Sequence, residues 1–107
     1  MDIKTLEEKM HKFVGDMGWY ADDSSKPQTL KNLAISLVLE ASEVLEHFQW
    51  REDTQDKEAL AEELADVMLY LMQLASLSEI DLTDAVLKKL DKNYTRDWDA
   101  ENNKKAE

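Results

Sequence analysis

Leu33–Leu45 reads LAISLVLEASEVL and Leu64–Ser76 reads LADVMLYLMQLAS, two apolar runs that admit acid only at particular positions. Glu40 and Glu43 are the only charges in the first. Asp66 is the only charge in the second, and Glu63 stands immediately before it. Each pair, Glu40 with Glu43 and Glu63 with Asp66, is spaced i, i+3, so on a helix its carboxylates project from one side about one turn apart. Two carboxylates roughly 5 Å apart repel by about 3 kcal/mol at an effective dielectric of about 20. Four beside a core demand protons or a cation to offset that repulsion. The two runs therefore read as neighbouring helices whose acids form a divalent metal site.

The rest of the chain supports helices throughout. In 107 residues there are two glycines and one proline, so little punctuation is available for hairpins, while Leu, Ala, Glu and Lys abound. A first helix is expected over about Asp2–Trp19, with Ile3, Leu6, Met10, Phe13, Val14 and Met17 at helical spacing. Tyr20–Gln28 (YADDSSKPQ) reads as the longest loop. The second helix is expected over about Thr29–Trp50 with Thr29 as N-cap. Leu30, Ala34, Leu37, Ala41, Val44 and Phe48 form its main stripe, and Glu40, Glu43 and His47 lie on the flank. The third, about Asp56–Ser78, carries two apolar stripes, a surface wide enough to meet another subunit as well as its own core. The fourth starts at Asp81 and runs to about Trp98, with Lys89, Asn93 and Arg96 on one face; residues from about 100 to 107 form a polar tail. Short connections imply antiparallel neighbours. The expected fold is all-α, an antiparallel bundle of four main helices in a single domain spanning 1–107.

Composition narrows the chemistry. The absence of cysteine removes disulfides and thiolate ligands and is compatible with a cytoplasmic location. No apolar run approaches the roughly 20 residues needed to span a bilayer, so no membrane partner is expected. A net charge of −11, from 24 acids and 13 bases, argues against a nucleic-acid partner. A small phosphorylated ligand is still compatible, because a bound cation reverses the local sign of charge. A ferritin-like di-iron site would need two Glu-x-x-His units; Glu8–His11 is the only one, and Val44 stands where His47 would need a Glu. His11 and His47 therefore read as surface or structural residues. All-oxygen donors suit Mg²⁺ or Mn²⁺. Trp19 and Trp50, at the two ends of the second helical region, are candidates to stack on a base. The competing reading is a non-catalytic helical interaction module whose acids form a solvated rim.

The order of motifs resembles a known family. Glu40-Ala-Ser-Glu43, then nineteen residues, then Glu63-Leu-Ala-Asp66 is similar to the paired signature of the MazG-like nucleoside triphosphate pyrophosphohydrolases. Asn32-Leu33-Ala34, Phe48-Gln49-Trp50 and Glu62 through Val67 bring the wording closest to the dCTP pyrophosphatase branch. The resemblance implies the all-α NTP pyrophosphatase fold completed by a homodimer or a dimer of dimers. It also implies Mg²⁺-dependent conversion of a (d)NTP substrate to (d)NMP and pyrophosphate, in keeping with house-cleaning of the nucleotide pool. On this basis Glu40, Glu43, Glu63 and Asp66 are metal ligands, with Glu40 or Glu43 also the catalytic base. Lys89 and Asn93, joined by Arg96, bind phosphate, and Trp19 or Trp50 closes the base pocket. The chain departs from the pattern at Asp97-Trp98, where related sequences often read Tyr-Pro.

Overall fold

The computed structural model describes residues 1–96, which form four α-helices: α1 Ile3–Asp16, α2 Leu30–Glu46, α3 Lys57–Leu77 and α4 Leu82–Thr95. The expected all-α class is the one observed. Each helix begins at a side-chain cap that satisfies an otherwise unpaired backbone donor. Asp2 accepts from Thr5 N–H at 2.8 Å, Thr29 from Asn32 N–H at 3.1 Å, Asp56 from Ala59 N–H at 3.0 Å and Asp81 from Asp84 N–H at 3.0 Å.

Two of the helix ends are sharp. At α1, Gly18 N–H donates to Gly15 C=O and Trp19 N–H reaches back to Val14 C=O, with Gly18 at φ +77°. At α3, Glu79 at φ +59° plays the glycine's part, with Glu79 N–H on Ser76 C=O and Ile80 N–H on Ala75 C=O. Both are Schellman turns, which reverse the chain and press the residue that follows back on its own helix. The first therefore ends at Asp16, short of Trp19, because Gly18 takes the left-handed conformation that glycine allows.

The second helix is also shorter than expected. After Glu46 the bonds tighten to i→i−3, from His47 to Val44, Phe48 to Leu45 and Gln49 to Glu46, and Trp50 turns the chain at φ +70°. A bulky residue in that region is strained. The cause of the early stop is the return to α3: His47 is engaged there by its ring, with Nδ1 3.2 Å from Thr54 Oγ1 and Nε2 against Glu63 Oε2.

The core lies where α1 and the first half of α2 meet the second half of α3. Met10, Val14, Leu33, Met72 and Ala75 are its buried apolar residues, with Leu33 only 2% exposed. On α2 the inward line runs through Leu33, Leu37, Glu40, Val44 and His47, while Leu30, Ala34, Ala41 and Phe48 are exposed. The expected stripe is thus rotated, and Glu40 sits on the packing face itself rather than on its flank. α1 packs on α3 through the tie between His11 Nε2 and Ser76 Oγ, 2.7 Å apart. α4 is different: it touches α3 sparsely and buries none of its residues. Within one chain the bundle is three packed helices and a fourth that stands off. The expected end of α4 at Trp98, the Asp97-Trp98 departure and the polar tail lie outside the described residues.

Truncating the best-buried side chain tests this core. Leu33→Ala is expected to lower the unfolding free energy by about 2–5 kcal/mol, read from a urea titration followed by helical circular dichroism.

Candidate functional site

The inward turn of α2 at Glu40 brings its carboxyl against the acids of α3. Glu40 Oε2 is buried and accepts from no hydrogen-bond donor among the described residues. Its carboxyl is pushed above the ordinary glutamate range. Burial is the largest cause, followed by the hydrogen bond a protonated Glu40 shares with Glu43 and by repulsion from Glu43, Asp66 and Glu63. The two sequence pairs therefore do converge: one carboxyl feels the other three. Glu63 is half-buried beside His47, whereas Glu43 and Asp66 reach the surface.

As the side chains stand, no three His, Asp or Glu groups among the described residues are drawn together tightly enough to hold an ion. The donor set nevertheless fits a hard divalent cation. It supplies carboxylate oxygens, one of them buried and without a donor, under mutual repulsion that a cation relieves.

Two hollows flank the acids. A shallow one of about 370 Å³ is lined by Glu43, Glu46, His47, Arg51 and Glu63. A deeper cavity of about 550 Å³ has Asp66 on one wall, then Trp19, Lys26, Gln28, Leu33, Tyr70 and Gln73. The Schellman turn at Gly18 delivers Trp19 here. Its ring meets Phe13 edge-on at 5.6 Å, and Lys26 Nζ lies 4.9 Å from its centroid. An aromatic plate, a cation and one member of the acidic cluster, Asp66, thus line one cavity.

The remaining sequence candidates are placed elsewhere. Trp50 is 94% exposed and lines neither hollow. Lys89, Asn93 and Arg96 lie on or at the end of α4 and line neither hollow. His11 and His47 tie helices together, in line with their structural reading. Sequence reasoning missed Gln28, Tyr70 and Gln73, which converge on the cavity only after the loop before α2 folds against α3. The one available signal was a lone glutamine in the apolar run of α3.

Comparison with known proteins places the chain in a family. The MazG-like family model matches residues 35–107, the segment that carries both acidic pairs. The chain belongs to the MazG-like family. Mouse and human proteins named dCTP pyrophosphatase 1 are each 36% identical to it over 104 residues, covering 86% of this chain and 58% of theirs. The chain thus spans little more than half the length of these curated relatives. A crystal structure of a pyrophosphatase from Archaeoglobus fulgidus superposes with a TM-score of 0.74 at 34% identity, covering 85% of this chain and 87% of that one. The solved relative shares the helical architecture of this MazG-like chain.

The acidic cluster of the MazG-like chain leaves a measurable mark on stability. Because the folded-state pKa of Glu40 is raised above its ordinary 4.5, folding disfavours the charged form. Its stabilising contribution is present below that ordinary value and is lost as pH rises through the raised one. In chelator, Glu40→Gln is therefore expected to melt higher than the parent near neutral pH, with the advantage vanishing in acid. Thermal melts across the pH range check both the sign and the window.

Proposed function

We propose that this chain is a nucleoside triphosphate pyrophosphohydrolase that converts a (d)NTP to (d)NMP and pyrophosphate, removing unwanted nucleotides from the cytoplasmic pool. The observation that carries the reading is Asp66: it belongs to the acidic cluster and also forms a wall of the cavity that holds Trp19. A base stacked on Trp19 places its phosphates toward the acids. The names of the dCTP pyrophosphatase and pyrophosphatase relatives support the same reaction.

Glu40, Glu43, Glu63 and Asp66 would hold Mg²⁺, with Mn²⁺ as a substitute; the bound cation supplies charge neutralisation of the triphosphate and a more acidic water. The protein's own groups do the rest. Glu43, the exposed member of its pair, accepts the proton of the water that attacks the α-phosphorus. Glu40, turned into the packing face, is held in place by the helices around it. Lys89, Asn93 and Arg96 meet the departing pyrophosphate, and they reach the site from a second copy of the chain.

The exposed apolar surface supports that assembly. Val38, Leu39 and Leu45 on α2 and Val86, Leu87 and Leu90 on α4 are all exposed. A free chain with so much apolar area facing water is poorly satisfied. Pairing α4 with a second copy buries it and supplies the missing cations, giving a homodimer or a dimer of dimers. Trp50, exposed in the turn beyond α2, would cover a neighbour's base pocket.

A panel of dNTPs and NTPs with Mg²⁺, analysed for products, tests the reaction. Pyrophosphate is the expected product, and Glu43→Gln is expected to cut kcat by about 100-fold or more. Orthophosphate release, or activity indifferent to Glu43→Gln, overturns the reading. Sedimentation is expected to give at least twice the 12.4 kDa chain mass, and Leu87→Glu combined with Leu90→Glu is expected to return the monomer with loss of activity.

A further inference from the structure

Gln73 is the most deeply buried polar side chain among the described residues, 3% exposed, and it lines the cavity beside Trp19. Both of its hydrogen bonds leave from the amide nitrogen. Nε2 donates to Gln28 Oε1 at 2.8 Å and to Tyr20 Oη at 3.3 Å. Oε1 accepts from no group among the described residues. The residue is packed, yet this oxygen is not among the acceptors sealed away from solvent, so a donor entering the cavity that Gln73 lines can reach it.

The orientation of that amide follows from its neighbours. The backbone carbonyl of Lys26 can only accept, and Gln28 reaches it at 2.6 Å, so the Gln28 atom there is the nitrogen. The other end of Gln28 is then an oxygen, which also only accepts, so Gln73 must turn its nitrogen toward it. Gln73 Nε2 also donates to Tyr20 Oη, whose other neighbour is His11 Nδ1 at 2.6 Å; His11 Nε2 lies 2.7 Å from Ser76 Oγ. The phenol keeps its proton, since burial pushes Tyr20 above its ordinary range. Gln28 and the Lys26 carbonyl thus leave Gln73 Oε1 as the unused acceptor.

We propose that Gln73 is a specificity-determining residue of this cavity, its Oε1 accepting a hydrogen bond from an exocyclic amine and so selecting amino-bearing bases over their keto counterparts. The inference rests on the nucleotide reading above. A keto oxygen at the same place would meet the Gln73 carbonyl, acceptor against acceptor, and the amide cannot rotate to greet it without breaking the bonds to Gln28 and Tyr20. Trp19 supplies a stacking face of no base preference; Gln73 supplies the edge contact that tells one base from another.

The test compares matched pairs that differ at this position, dCMP with dUMP and dAMP with dIMP, by calorimetry, together with hydrolysis of the corresponding triphosphates. The parent protein is expected to favour the amino member of at least one pair by roughly tenfold. Gln73→Met, close in shape but without the acceptor, is expected to bring that ratio near one. Gln28→Leu removes the group that orients the amide, and is expected to lower the ratio part of the way. Equal affinity for both members in the parent overturns the proposal, as does a preference that survives in Gln73→Met with its helical spectrum intact. If Gln73→Met does not fold, a preference undiminished in Gln28→Leu overturns it. Pyrophosphate released at equal rates from both members of each pair defeats this inference alone. No nucleotide binding and no pyrophosphate from any triphosphate defeats the enzymatic reading with it.

Discussion

Repulsion among carboxylates on a packing face is the constraint around which this molecule is arranged. Glu40 occupies a position that periodicity would give to an aliphatic side chain, between Leu37 and Val44 on the line that meets α3. Its charge is opposed by burial and by three other acids, and Glu40 holds its proton more tightly as a result. A fold selected for stability alone would place leucine there. Retaining four acids at the α2–α3 seam makes sense where a cation is to be held, with the apolar contacts of α1 and the distal half of α3 offsetting the local penalty.

The cavity next to the acids depends on a different device. Gly18 ends α1 in a left-handed turn, and the reversal carries Trp19 back against Phe13 and into the cavity wall. The polar loop that follows is then fastened by directional hydrogen bonds running from Lys26 C=O through Gln28, Gln73, Tyr20 and His11 to Ser76. The bonds at Gln28 and Gln73 have defined donors, so this part of the loop is oriented as well as attached. This network joins α1, the loop and α3 on the side of the seam away from α4. The acidic cluster and the cavity are therefore supported by separate parts of the fold that meet at Asp66.

Much of this was legible in the chain before any coordinates. Four helices, the caps at Thr29 and Asp81, the pairing of the acids and the surface or structural character of both histidines follow from local signals: apolar periodicity, N-cap residues, i, i+3 spacing and the absence of a second Glu-x-x-His unit. What misled the reading was phase. The stripe from Leu30 to Phe48 looked like the core face because it is continuous in apolar residues, yet Leu33 is the residue that is buried. The exposed face of this helix is as apolar as the one that faces inward, so periodicity alone does not tell them apart. The early ends of α1 and α2 escaped for a related reason. Gly18 and Trp50 reverse the chain to satisfy contacts with Phe13 and with the α2–α3 connection, and those contacts lie beyond a helical window.

The sequence by itself determined that the chain is helical, that Glu40, Glu43, Glu63 and Asp66 stand in two like-spaced pairs, and that thiolate ligands are excluded. These properties are local, fixed by residue type and by separations of three or four positions. Only the tertiary structure decided that Glu40 turns into the seam, that Trp19 and not Trp50 lines the cavity of its own chain, and that Gln73 leaves a single acceptor within it. Those outcomes join residues far apart in the chain, Gln28 to Gln73 and His11 to Ser76. Hydrogen-bond direction across such distances is written in no window of sequence.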